Sequence, residues 1–348
     1  MNFINHTIFP ALNYDCHNPH HDKFHVVASR ITYDIRINNR DGQSQLIISP
    51  EQSPLNYTDV SYSEMVDTSI EYESDLAPYK PKTDIVVNAT AFVPENNPVP
   101  VFDVGIQIGK YQKALRIFGP RSWIKEGNEW FLTESEPINY LDVRYEHASG
   151  GTYSTGDTVL TSPANPIGMG WYPAEFLAGC DKAQLPAHQI ESPDIPAKHI
   201  SQILRPDGFG FFGRTWQGRA EYAGNYHQNA ISSHPPQMPD NLNYWCGAHP
   251  TLQIPHLKAG NKLPLKLFGL VSAAEIERQH VLFYVPVENL FVFIGSGLGF
   301  SIPKNLQLDT IVVDMNLRKV FCTYRIALPD SLNIAEMTLR YIPEHAAR

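Results

Sequence analysis

The chain has 348 residues, 43% of them hydrophobic and 18% charged, so it is long enough for a sizeable core and is neither disordered nor collagen-like. A net charge of −9 without any basic block excludes nucleic acid and anionic membrane as expected partners. The 28 prolines, 17 tyrosines and 17 phenylalanines favour short strands and stiff loops over helical bundles.

Residues 1–23 read as a polar lead containing His6, His17, His20 and His21, without the basic start and apolar run of a secretory signal. Cys16, Cys180, Cys246 and Cys322 are scattered with no CxxC pair, so a reducing, cytoplasmic setting is expected. No stretch approaches the roughly 18 apolar residues that a spanning helix needs.

Strands are expected from Phe24, where Ile31, Tyr33, Ile35 and Ile37 alternate with the period of a half-buried strand. Residues 38–42 carry hairpin chemistry, and 45–49 return as the partner. Residues 50–82, with Glu51, Asp59, Glu64, Asp67, Glu71, Glu73 and Asp75 and few apolar side chains, read as an acidic excursion over the surface. Strands at 83–93, 99–108 and 112–118 have meander spacing, and 121–124 pairs with 130–132 around Gly127.

From 146 to 263 periodicity weakens, with short helices expected at 197–204, 214–222 and 225–231. Strands resume at 264–271, 281–285, 289–294, 309–313 and 320–328, the last two forming a hairpin over 314–318. The expected fold is therefore mainly β: an antiparallel β-sandwich-like scaffold with a long loop-rich, aromatic-rich central insertion and a few short helices. We read 1–348 as a single domain. Its parts are the lead at 1–23, N-terminal antiparallel strands at 24–145, the central section at 146–263 and C-terminal antiparallel strands at 264–343.

The stretch 144–172 organises the rest. Gly150, Gly151, Gly156, Gly168 and Gly170 permit positive φ or close backbone approach, while Pro163 and Pro166 fix φ. Because it ends in Met169, Trp171, Tyr172, Phe176 and Leu177, it is expected to be a long ordered loop packed under its own aromatic rings.

Candidate chemistry is thin. His17, His20, His21 and His25 offer imidazoles for a metal, but without ligand spacing they read better as surface histidines. Asp181, Glu191 and Asp194 are candidate paired carboxylates for a glycosidase-like cleft, weighed against solvated loop charges. The glycines at 150–151, 208–210 and 295–299 lack a following Gly-Lys-Ser/Thr and read as turns. No Gly-x-Ser-x-Gly elbow occurs, and no catalytic residue, cofactor or metal is assigned. Of the many central aromatics most are expected in the core; Trp171, Tyr172, Phe211 and Trp216 are the expected partner-binding positions. The strand edge at 45–49 is a further place where a partner strand could add.

Seven pieces occur in a telling order: 82–89 (KTDIVVNA), 116–123 (RIFGPRSW), 145–151 (YEHASGG), 165–170 (NPIGMG), Leu185-Pro186 with 191–193 (ESP), 216–226 (WQGRAEYAGNY) and 308–314 (LDTIVVD). Together they resemble a bacterial domain-of-unknown-function family encoded beside type VI secretion spike and toxin genes. Ser149 and Asn225 depart from its pattern, where Phe and Thr are usual. The resemblance implies a non-catalytic cytoplasmic adaptor or chaperone that binds a type VI effector and helps load it onto the VgrG spike or the PAAR-repeat tip. The alternative is a carbohydrate- or peptidoglycan-active enzyme with a cleft under the central loop.

Overall fold

The computed structural model describes the chain except for residues 19, 21, 39, 41, 64–67, 224–240, 277–278, 297–300 and 344–348. It is mainly β, and among the described residues the α-helices are two short ones, Ala174–Ala178 and Gln217–Ala220. The largest sheet runs in the order Ala11–His17, Lys23–Ile37, Lys319–Pro329, Gln307–Asp314, Thr83–Asn88 and Gln253–Ile254, with Ser44–Ile48 also paired to Lys23–Ile37. N-terminal and C-terminal strands are thus interleaved in one sheet. A five-stranded sheet runs Ile190–Glu191, Tyr111–Phe118, Val101–Ile108, Lys262–Phe268 and His280–Pro286, and a four-stranded sheet joins Asn2–Asn5, Ile334–Tyr341, Leu290–Ser296 and Ser301–Asn305.

Alternation decides which faces meet. In Val101–Ile108 the side chains of Phe102, Val104, Ile106 and Ile108 are buried, while Asp103 and Gln107 face outward. Those apolar residues share one core with Ile31, Tyr33, Ile85, Val87, Cys322 and Tyr324 from the large sheet. The other face of the large sheet is covered as well, by residues 54–56 and 72–80 and by Phe211 from the central section.

Several expectations need correcting. Two segments of the lead are strands: 2–5 runs parallel to 334–341, and 11–17 pairs with 23–29, so Phe3 and Ala11 reach the core despite the polar composition around them. The three-strand meander does not form. Only 101–108 and 111–118 pair, whereas 83–88 leaves to lie parallel to 310–314, as suits a strand buried along its whole length on both faces. No helix forms at 197–204, the one at 214–222 shrinks to Gln217–Ala220, and that expected at 225–231 lies outside the described residues.

The acidic excursion is also misread in part. Glu73 and Asp75 are buried, each against arginines. Asp75 meets Arg30 and accepts from Thr323 Oγ1 at 3.1 Å, while Arg325 meets Asp309 and donates to the Asp75 carbonyl at 2.9 Å. Glu73 meets Arg219, and Lys80 Nζ lies 2.7 Å from Asp84 Oδ2. A layer of paired charges therefore lies between the sheet and its cover, because burial of these groups is tolerable only with partners of opposite sign.

Candidate functional site

The central loop is held by a side chain acting as a backbone. Asn165 is fully buried; its Nδ2 donates to the carbonyls of Tyr145 (2.8 Å) and Ser149 (3.2 Å), and its carbonyl accepts from Gly151 N–H at 2.9 Å. This clamps 145–151 against 165–170, which then pair in parallel at Ser149–Gly150 and Met169–Gly170. Glycine is required at Gly170, where φ is +82° and a Cβ would stand 2.3 Å from His188 N.

Beside this clamp opens a cleft of about 780 Å³ between strand 111–118 and the segments 190–195 and 204–207, with His249 and Thr251 on its wall. Lys113 occupies a core-facing position in its strand. Its ammonium meets Asp207 and lies 3.3 Å from His249 Nε2, which is in turn 3.3 Å from Asp207 Oδ1. His249 Nδ1 accepts from Thr251 N–H at 3.2 Å, so the neutral ring carries its proton on Nε2, toward Asp207. Burial pulls the pKa values of both Lys113 and His249 below their ordinary values. For Asp207 burial acts upward, but the His249 hydrogen bond and the Lys113 charge outweigh it and leave the carboxyl below its ordinary value.

A second group of the same kind lies next to it. Glu191 Oε1 accepts from His188 Nε2 at 2.7 Å and from Arg121 Nη2 at 2.6 Å, and Arg121 stacks over the Phe118 ring at 3.6 Å. These partners overcome the upward push of burial and lower the Glu191 pKa, while burial lowers that of His188. Both carboxylates are therefore held ionised.

The cleft also contains an open strand edge. Phe118 N–H donates to Gln189 O at 2.8 Å and Gly119 N–H to Pro100 O at 2.9 Å, which fixes the alternation: even-numbered residues of 111–118 point away from 101–108. On that side Ile190–Glu191 covers only Arg116 and Ile117. The chain then turns away through Ser192–Ile195, closed by Ile195 N–H to Ser192 O at 3.3 Å. Gln112 and Ala114, both lining the cleft, have no backbone partner on this edge among the described residues.

Residues 20–325 match the family described as uncharacterized protein conserved in bacteria (DUF2169). The chain belongs to that family. The clamp, the cleft and the buried charges all fall inside the matched span. No curated protein and no solved structure matches the chain.

In this DUF2169 chain the four aromatic residues expected at a partner groove are all buried. Trp171 donates from Nε1 to Ser201 O at 3.2 Å; the Tyr172 hydroxyl donates to Pro186 O at 2.9 Å, and its ring stacks on Phe176. Phe211 bridges residues 70 and 248, and Trp216 packs edge-on against Tyr145 at 5.2 Å. Of these four, Trp216 reaches a smaller cavity of about 240 Å³, shared with Leu204 and Arg205 of the cleft rim. In this conformation the rings brace loops that lack strand partners and leave little surface for another molecule.

Glu191 and Asp194 do line the cleft, whereas Asp181 does not. The histidines separate: His25 is buried between Asp15 (2.6 Å) and Asp330 (3.0 Å), His20 is exposed and His21 lies outside the described residues. Among the described residues no three His, Cys, Asp or Glu side chains are grouped to hold a metal ion. Lys113, Asp207, His249 and the 112–114 edge went unnoticed in the sequence. The usable signal was Lys113 itself, a charge in phase with Leu115 and Ile117 on the buried face of an alternating strand.

Proposed function

We propose that this chain is a non-catalytic adaptor that binds a type VI secretion effector in the cytoplasm and helps load it onto the VgrG spike or the PAAR tip. The ordered resemblance described above supplies the biological setting. One observation favours binding over chemistry: Glu191 and Asp207 are each paired with a cation and an imidazole and kept ionised, whereas a glycosidic general acid must be held protonated near neutral pH. Among the described residues no helix is long and apolar enough to cross a membrane.

The second reading, a carbohydrate- or peptidoglycan-active enzyme, draws on Glu191 and Asp194 facing the same cleft. Co-expression with the products of its flanking genes separates the two. An adaptor co-purifies with a toxin among them and raises its yield. Failure to co-purify, together with turnover of peptidoglycan that Asp194→Asn abolishes, would replace the adaptor by the enzyme.

A further inference from the structure

We propose that the partner enters the cleft as an added β-strand on the edge of Tyr111–Phe118, and that the entering segment is extended, uncharged and bears apolar side chains. The inference rests on the adaptor reading and specifies how capture occurs. The lane is already begun by the chain itself: Ile190–Glu191 occupies it opposite Ile117 and Arg116, then the turn at Ser192–Ile195 vacates it. Gln112 and Ala114 are left presenting alternate N–H and C=O groups at strand spacing, and the group that satisfies donor and acceptor in that order is another extended backbone.

The walls select the segment. The lining carboxylates Asp103, Glu191, Asp194 and Asp207 face the cations Lys113 and Arg205, with Arg116 and Arg121 pairing two of the four from behind. The charges around the cleft thus nearly balance, so no net field favours an entering segment of either sign. Ile195 and Phe268, exposed by 61% and 38%, supply apolar contact at the rim, and Gly105 opposite Ala114 leaves room for side chains to settle on the sheet.

Other edges suit this less well. Ser301–Asn305 carries Pro303 and Lys304, the residues that guard exposed edges. The approach to Ser44–Ile48 is closed at its start, where Leu282 N–H donates to Gly42 O at 2.9 Å.

Ala114→Pro removes the outward N–H while leaving the bonds to 101–108 intact, and Ala114→Thr keeps it. With the 348-residue chain and whichever product of its flanking genes co-purifies with it, Pro should weaken binding by about tenfold or more and Thr by less than about threefold, with unchanged thermal melts. In wild type, amide exchange at Gln112 and Ala114 should be fast in the free chain and protected in the complex, a reading that needs no variant. Capture that Ala114→Pro leaves intact, or no new protection at 112–114, overturns the added strand but not the adaptor. No capture by wild type overturns both.

Discussion

Glu73→Gln is the sharpest perturbation the structure offers, because it keeps the shape of a buried side chain and deletes its charge. The Glu73 carboxylate is 3% exposed; it contacts Arg219, with Arg214 Nη2 at 3.3 Å and Lys80 Nζ at 3.8 Å. Burial alone would raise its pKa, but the three cations bring it from the ordinary 4.5 down to about 2. At about 1.4 kcal/mol for each tenfold change in proton affinity, that drop corresponds to about 3 kcal/mol, in line with the ~3–5 kcal/mol expected when one partner of a buried ion pair is removed. The sign follows from the direction. A carboxyl depressed in the folded state stabilises fully above its unfolded value near 4.5, and the contribution disappears as pH falls toward 2. Urea unfolding at pH 7 should therefore show the variant weaker by about 3 kcal/mol or more, and a series from pH 5 to about 2.5 should show a shallower acid loss than in wild type. A variant within about 1 kcal/mol of wild type at pH 7, or with the same acid slope, would refute the account of this layer.

Two further outcomes follow from the loop clamp and the cleft. Burial holds His147, His188 and His249 below the ordinary 6.5, so as pH drops through that value the unfolded chain takes up protons first and the folded state loses stability. His188→Gln should shrink that loss between pH 7 and 5.5 in urea titrations; an unchanged pH dependence would mean the ring is not held neutral. Gly170→Ala places a Cβ 2.3 Å from His188 N at φ +82°, and should cost more than about 2 kcal/mol. Gly127→Ala, at φ +64° with nothing within 4 Å, should cost only about 1 kcal/mol. Equal losses of melting temperature for the two would show that the close approach at Gly170 is relieved without strain.

Much of the scaffold was readable because its cause is local. Alternation at Ile31, Tyr33, Ile35 and Ile37 and the turn at 38–42 define the first hairpin, and the last hairpin follows from 309–313 and 320–328 in the same way. The long loop at 144–172 is ordered as its glycines and rings suggested. What could not be read was which strands meet. Strand 83–88 looked like a neighbour of 101–108, yet pairs with a segment more than 200 residues away. Residues 2–5 and 11–17 form strands because partners at 334–341 and 23–29 complete them, despite weak periodicity of their own.

The sequence by itself determined the class of fold, the polar balance and the positions where the backbone must turn, since propensity, alternation and glycine or proline stereochemistry act over a few residues. The tertiary structure alone decided which charges are buried and which aromatic rings are exposed. Glu73 and Asp75 look like surface acids until Arg219 and Arg30 arrive from distant segments, and Trp171 and Tyr172 look like contact residues until 185–186 and 200–201 close over them. It alone also left the edge at Gln112 and Ala114 uncovered, because a strand's free side is defined by the neighbour that stops short of it, here Ile190–Glu191, some 75 residues further along the chain.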